Sequence, residues 1–231
     1  GAVAGLTTLN AGATGETATF NSTVAATNLE VSGTGNVALN GSFTGQLDLN
    51  NNAATVTFAD NANLTGTIVG TGGTAGTVTF AGTSTISSTV AGVTTINAGA
   101  NGETVAFSGT VAATNLELSG TGAITLADTF TGILDMNNKA GTVTLADNAG
   151  ITGTVISTGG TAGTLTLSGT STISSTVSGL TTINAGATGD TATFSVNVTA
   201  TNLEVSGTGN VALNGDFTGE LDYNNKAATV T

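Results

Sequence analysis

The stretch Ala54-Thr55-Val56-Thr57-Phe58-Ala59-Asp60 decides the fold. Its apolar residues alternate with threonine, which puts Val56 and Phe58 on one face of a strand and Thr55 and Thr57 on the other. β-Branched threonine and valine suit such an extended, half-buried backbone. Versions of the run recur as Thr17-Ala18-Thr19-Phe20, Thr77-Val78-Thr79-Phe80, Thr142-Val143-Thr144-Leu145, Thr164-Leu165-Thr166-Leu167 and Thr191-Ala192-Thr193-Phe194. The recurrence says more than any single strand.

Working outward, Leu6-Thr7-Thr8-Leu9-Asn10-Ala11-Gly12-Ala13 returns at Val93–Ala100 and again at Leu180–Ala187, offset by 87 residues each time. The chain is therefore a single repetitive domain with units 6–92 and 93–179 and a partial third, 180–231. The last inward residues of the alternating strands are Phe20, Leu39, Phe58 and Phe80, then Phe107, Leu126, Leu145 and Leu167, then Phe194 and Leu213. They advance by 19, 19, 22 and 27 residues within one unit. Such steps are shorter than the roughly 30 residues of a βαβ crossover, and fit turns of a solenoid. The prediction is an all-β, right-handed parallel β-helix (a β-solenoid) with three short strands per coil and ten marked coils, four to each 87-residue unit. The irregular spacing favours the right-handed form over left-handed helices built on hexapeptides. Leu29-Glu30-Val31, Val37-Ala38-Leu39 and Ser42-Phe43-Thr44 illustrate one coil, with Gly and Asn at the corners, where the backbone needs positive φ. At a spacing of about 4.8 Å per coil the rod measures on the order of 50 Å. The position after Asp48 holds Leu49, Met136 and Tyr223 in the three units, a tolerance that places it near a corner or edge with slack.

Composition narrows the functional classes. Proline is absent, as expected where nearly every backbone N–H is used in a ladder. Cysteine is absent, which removes disulfides and thiolate metal sites. Only 7% of residues are charged, against about 25% in an ordinary globular protein. The net charge is −12, with Lys139 and Lys226 the only cationic side chains, which argues strongly against nucleic acid and anionic membrane surfaces as partners. No apolar run approaches the roughly 20 residues of a membrane helix, so no membrane insertion is expected of this segment. A chain that begins at Gly1 reads as a processed or excerpted piece.

Histidine and arginine are missing too, which rules out nucleophile–histidine pairs and histidine metal sites. What remains is carboxylate chemistry. Glu30 and Asp48 are outward middle residues of consecutive coils and should stack about 5 Å apart. Their equivalents are Glu117 with Asp135 and Glu204 with Asp222. Asp128 and Asp147 make a further stack in the second unit. The plain reading is solvated charge that keeps the rod soluble. The chemical reading is a Ca²⁺ site at Glu30, Asp48, Glu117, Asp135, Glu204 and Asp222, with Asn50 and Asn137 adding oxygens, since a hard cation takes oxygen ligands alone. A glycosidase would use two carboxylates with pKa values pushed apart; identical copies in every unit offer no such asymmetry, and no enzyme is expected. The Thr-x-Thr pairs invite an ice-binding face, but Val37-Ala38-Leu39 and Val105-Ala106-Phe107 interrupt it. Asn10, Asn97 and Asn184, with Asn50, Asn137 and Asn224, read as Asn ladders at corners.

The phrases Asn28-Leu29-Glu30-Val31-Ser32-Gly33-Thr34-Gly35, Gly45-Gln46-Leu47-Asp48-Leu49-Asn50 and Ala146-Asp147-Asn148-Ala149 carry a family resemblance. Across its length the chain resembles the passenger region of bacterial autotransporter-type surface proteins, above all the Thr/Asn/Gly-rich repeats of rickettsial outer-membrane surface antigens. The resemblance rests on composition and coil grammar. It implies an extracellular or bacterial cell-surface location and transfers no site residue. The expected function is a structural or adhesive rod segment, associating with itself end to end or laterally, or meeting a host or neighbouring cell surface. The alternative is a Ca²⁺- or glycan-binding solenoid module; no cofactor is expected other than this Ca²⁺.

Overall fold

A computed structural model describes residues 1–231 as one solenoid of about eleven turns. It contains 26 strands, joined by parallel pairing and accompanied by no helix. Each turn visits three faces, and each face carries a ladder of inward apolar side chains. One ladder runs Leu9, Leu29, Leu47, Ile68, Val90, Val111, Phe130, Ile151, Ile173, Phe194 and Leu213. A second begins Phe20, Leu39, Phe58, Phe80. The third runs Val3, Val24, Phe43, Leu64, Ile86, Phe107, Leu126, Leu145 and Leu167. Phe58 thus lies between Leu39 and Phe80, as the alternation predicts.

The ladders correct the repeat arithmetic. Four turns carry Leu9 to Val90, but Val90 is the repeat equivalent of Val3. The equivalent of Leu9 is Ile96, one face further round. A unit therefore contains four and one-third turns, not four, and three units make thirteen. The 27-residue step from Phe80 to Phe107 hides the extra third. Ile86, on the short strand Ser84–Ile86, pairs with both Leu64 and Phe107 and marks the rung that the alternating runs miss.

The strand predicted at Leu29-Glu30-Val31 begins five residues earlier. Val24–Val31 is one strand that rounds a corner, with a register slip between Ala25 and Asn28 against the next coil. The slip arises because the corner shortens from coil to coil. Val3 to Leu9 spans six residues, Val24 to Leu29 five, Phe43 to Leu47 four and Leu64 to Ile68 four. The shortest arcs turn on Gly45 and Gly66, with φ of 134° and 143°. A Cβ on Gly45 would lie 1.8 Å from the carbonyl oxygen of Ala26 in the coil below, so only glycine closes this corner. Another corner turns on paired asparagines, Asn50-Asn51 with φ of 49° and 55°, repeated at Asn137-Asn138 and Asn224-Asn225. Asparagine is among the few side chains that tolerate this left-handed conformation.

The core is one cluster of 52 buried residues running the length of the rod. Phe58 and Phe80 stack with ring centroids 5.1 Å apart, and Phe107 meets Phe80 edge-on at 5.7 Å from another face. Leu49 and Met136 are fully buried, contrary to the slack expected from their variation. The tolerance is interior: Gly76 and Gly163 sit against them and leave room for a longer or shorter chain. Tyr223 is 40% exposed because it occupies the last coil, with no coil above it.

Candidate functional site

The carboxylate pairs fall where the register requires. Glu30 pairs with Asp48, Glu117 with Asp135 and Glu204 with Asp222 as direct cross-strand neighbours. Their surroundings, however, are those of turn caps. Asp48 is nearly buried, 4% exposed, and its Oδ1 accepts from the backbone N–H of Asn50 at 2.9 Å and of Thr71 at 3.0 Å. The Thr71 hydroxyl donates to its other oxygen. Burial pushes this carboxyl's pKa up, but the Thr71 hydroxyl and the two N–H donors together outweigh it and hold the pKa below the ordinary aspartate value. Asp135 repeats the pattern with Asn137 at 2.7 Å and Thr158 at 2.8 Å. Asp222 keeps only the bond from Asn224. These aspartates satisfy the N–H groups that the left-handed Asn-Asn corner leaves free. Glu30 and Glu204 each accept from the Asn two residues before them, Asn28 and Asn202. No group of three acidic side chains converges anywhere. A cation at the pair would share Asp48 with the N–H groups that already bind it.

The asparagines divide. Asn50, Asn137 and Asn224 stand at corners, but Asn10, Asn97 and Asn184 do not. They are outward residues inside long strands, paired with Glu30, Glu117 and Glu204. Asn97 donates to Thr79 at 3.3 Å. The asparagine–asparagine side-chain bond between coils is Asn40 Nδ2 to Asn21 Oδ1, 2.8 Å, which the repeat of Asn after Phe20 and Leu39 could have signalled.

A second acidic column includes Asp147, which the sequence pairs only with Asp128, and is joined through threonines that the sequence did not mark. Asp60 Oδ1 accepts from Thr83 N–H, and the Thr83 hydroxyl donates to Glu103. Asp147, Thr170 and Asp190 repeat this one unit later. The signal available was the 87-residue spacing of these Asp and Thr residues around glycines that bring the coils close together. Gly82 and Gly169 pack on Asp60 and Asp147.

The shortening corner opens a shallow groove once per unit. Gly5, Ala26, Thr27 and Gly45 border a groove of about 370 Å³. Gly92, Ala113, Thr114 and Gly132 border the second, of about 260 Å³. Gly179, Ala200, Thr201 and Gly219 border the third, of about 180 Å³. Because each unit turns four and one-third times, the three equivalent grooves open at three different corners. The same rotation breaks up the threonine face. The square of Thr55, Thr57, Thr77 and Thr79 and its equivalent, Thr142, Thr144, Thr164 and Thr166, lie on faces a third of a turn apart. No flat plane of Thr-x-Thr runs further than one unit. No helix is long and apolar enough to cross a membrane. The chain matches no family model, no curated protein and no solved structure.

Proposed function

We propose that the chain is a structural rod, a segment of an extracellular bacterial surface protein or fibre that supplies length, stiffness and presentation. The observation that carries this reading is that no acidic candidate site is singular. Capped carboxylates, acidic columns and the corner grooves each recur with the 87-residue unit. The one hollow that does not, about 280 Å³ beside Asn148, Thr170 and Thr172 in the second unit, is lined by no charged side chain. A catalytic centre differs from its surroundings by perturbed, asymmetric groups, whereas here the Glu–Asp pairs return at the same place in every unit. The resemblance to autotransporter passenger regions supports the bacterial surface, and the coil-on-coil parallel stacking along the whole rod supports a stiff spacer. Negative-stain microscopy across a concentration series tests the reading. Straight rods with a unit length of about 50 Å, alone or joined into filaments, are expected; globular or flexible particles would overturn it.

A second reading, a Ca²⁺- or glycan-binding module, draws on the stacked Glu–Asp pairs for the metal and on the uncharged grooves for a neutral sugar. Calorimetry with Ca²⁺ and with neutral oligosaccharides addresses it, and heats indistinguishable from dilution would remove it.

A further inference from the structure

The chain contains three Asn-Gly pairs: Asn40-Gly41, Asn101-Gly102 and Asn214-Gly215. This dipeptide is chemically labile wherever the glycine nitrogen can reach the asparagine side chain, because no Cβ shields the approach and the backbone is free to rotate. The solenoid places the three in different situations.

At two of them the coil below blocks the motion. A Cβ on Gly41 would meet the Ser22 carbonyl carbon at 2.6 Å, and one on Gly215 would meet that of Val196 at 2.5 Å. These glycines are pressed against backbone. Asn40 is also tied through Nδ2 to Asn21 and through its N–H to Phe20. Asn214 is anchored through its N–H to Phe194.

Asn101-Gly102 differs. Both residues are exposed at the tip of the turn closed by the Glu103 N–H on the Ala100 carbonyl. Gly102 has φ of 75° and nothing within 4 Å of where a Cβ would stand. Asn101 Oδ1 accepts from the Thr121 N–H at 2.8 Å and from the Thr121 hydroxyl at 3.3 Å. Both bonds draw electron density from Cγ and leave Nδ2, the leaving group, without a protein partner. The equivalent turns of the other two units carry Thr14-Gly15 and Thr188-Gly189, so this chemistry belongs to the second unit alone.

We propose that Asn101 is a site of spontaneous, structure-directed covalent modification. The Gly102 backbone nitrogen attacks Asn101 Cγ and forms an N–Cγ bond. The Cγ–Nδ2 bond breaks, and Nδ2 leaves as ammonia carrying the Gly102 amide proton. Water then opens the resulting cyclic imide at either carbonyl, giving aspartate or isoaspartate at position 101. The aspartate product retains an oxygen for the Thr121 N–H and adds one negative charge beside Glu103. The isoaspartate product lengthens the turn backbone by one methylene.

The test is incubation of the intact folded chain at mildly alkaline pH, followed by peptide mapping and isoelectric focusing over time, with a parallel sample in denaturant. Conversion at position 101 is expected to run well ahead of positions 40 and 214 in the folded chain. In denaturant the three rates should converge. Asn101→Thr, which copies the other two units, should abolish the early acidic shift while leaving the melting temperature unchanged. Conversion at position 40 or 214 as fast as at 101 in the folded chain would overturn the proposal, as would an Asn101 peptide that stays intact while the denatured sample reacts.

Discussion

Replacing Gly132 with alanine tests the corner on which the unit turns. Gly132 has φ of 137°, and an added Cβ would lie 1.9 Å from the carbonyl oxygen of Ala113 in the coil below. The conformational term for a non-glycine residue there is about 1–3 kcal/mol. Relieving the clash requires the coil to lift by more than an ångström, which would break two or three neighbouring ladder hydrogen bonds at roughly 1 kcal/mol each. The expected loss is about 4 kcal/mol, on the sum of those terms. Gly102→Ala is the matched control. It also has positive φ, at 75°, but an added Cβ meets nothing within 4 Å, so it should lose only about 1–2 kcal/mol. Urea unfolding followed by far-UV circular dichroism reads both. In a stack whose coils touch only their neighbours, a broken central coil uncouples the two halves, so Gly132→Ala should also split the transition. If Gly132→Ala matched Gly102→Ala in midpoint and stayed a single transition, the corner would not close as described.

Other outcomes follow from the same packing. Phe58→Ala, deep in the core, should destabilise by about 3–5 kcal/mol, and Phe20→Ala, half-buried in the first coil, by clearly less in the same melts. The lowered pKa of Asp48 means its carboxylate stabilises the fold at neutral pH, and that contribution is lost as pH falls through the lowered value. Asp48→Asn should therefore lose less stability than the parent chain between neutral and strongly acidic pH, with the difference measured by urea midpoints at each pH. On the structural reading, addition of Ca²⁺ should leave the melting temperature of the parent and of Glu117→Gln unchanged; a rise seen only in the parent would move the Glu117–Asp135 pair into the metal-binding class.

Much of the rod is legible in the sequence because inward and outward residues alternate with period two. That pattern identifies Val56, Phe58 and the stacking of Glu30 on Asp48 without coordinates. The turn count within a unit was less accessible. All three faces use the same grammar of small alternating residues, so Phe80 and Phe107 look like successive rungs although they lie on different faces. The short strand ending at Ile86 carries only one bulky residue, and its neighbours Ser84 and Thr85 do not announce a rung. The Leu49, Met136 and Tyr223 position misled in a different way. Variation there reflects glycines across the interior, and those become neighbours only once the coils are stacked. The aspartate caps were invisible for a similar reason, since their second donor, Thr71 or Thr158, lies a full turn away.

The extra third of a turn makes unit number a control on direction. Gaining or losing one 87-residue unit moves whatever follows by about 21 Å along the axis, at 4.8 Å per coil, and also swings it by a third of a revolution. Similar units of one fixed length in tandem are natural substrates for expansion and contraction by recombination. A rod of this kind could therefore vary in steps that re-aim its tip, with the original bearing restored only after three units.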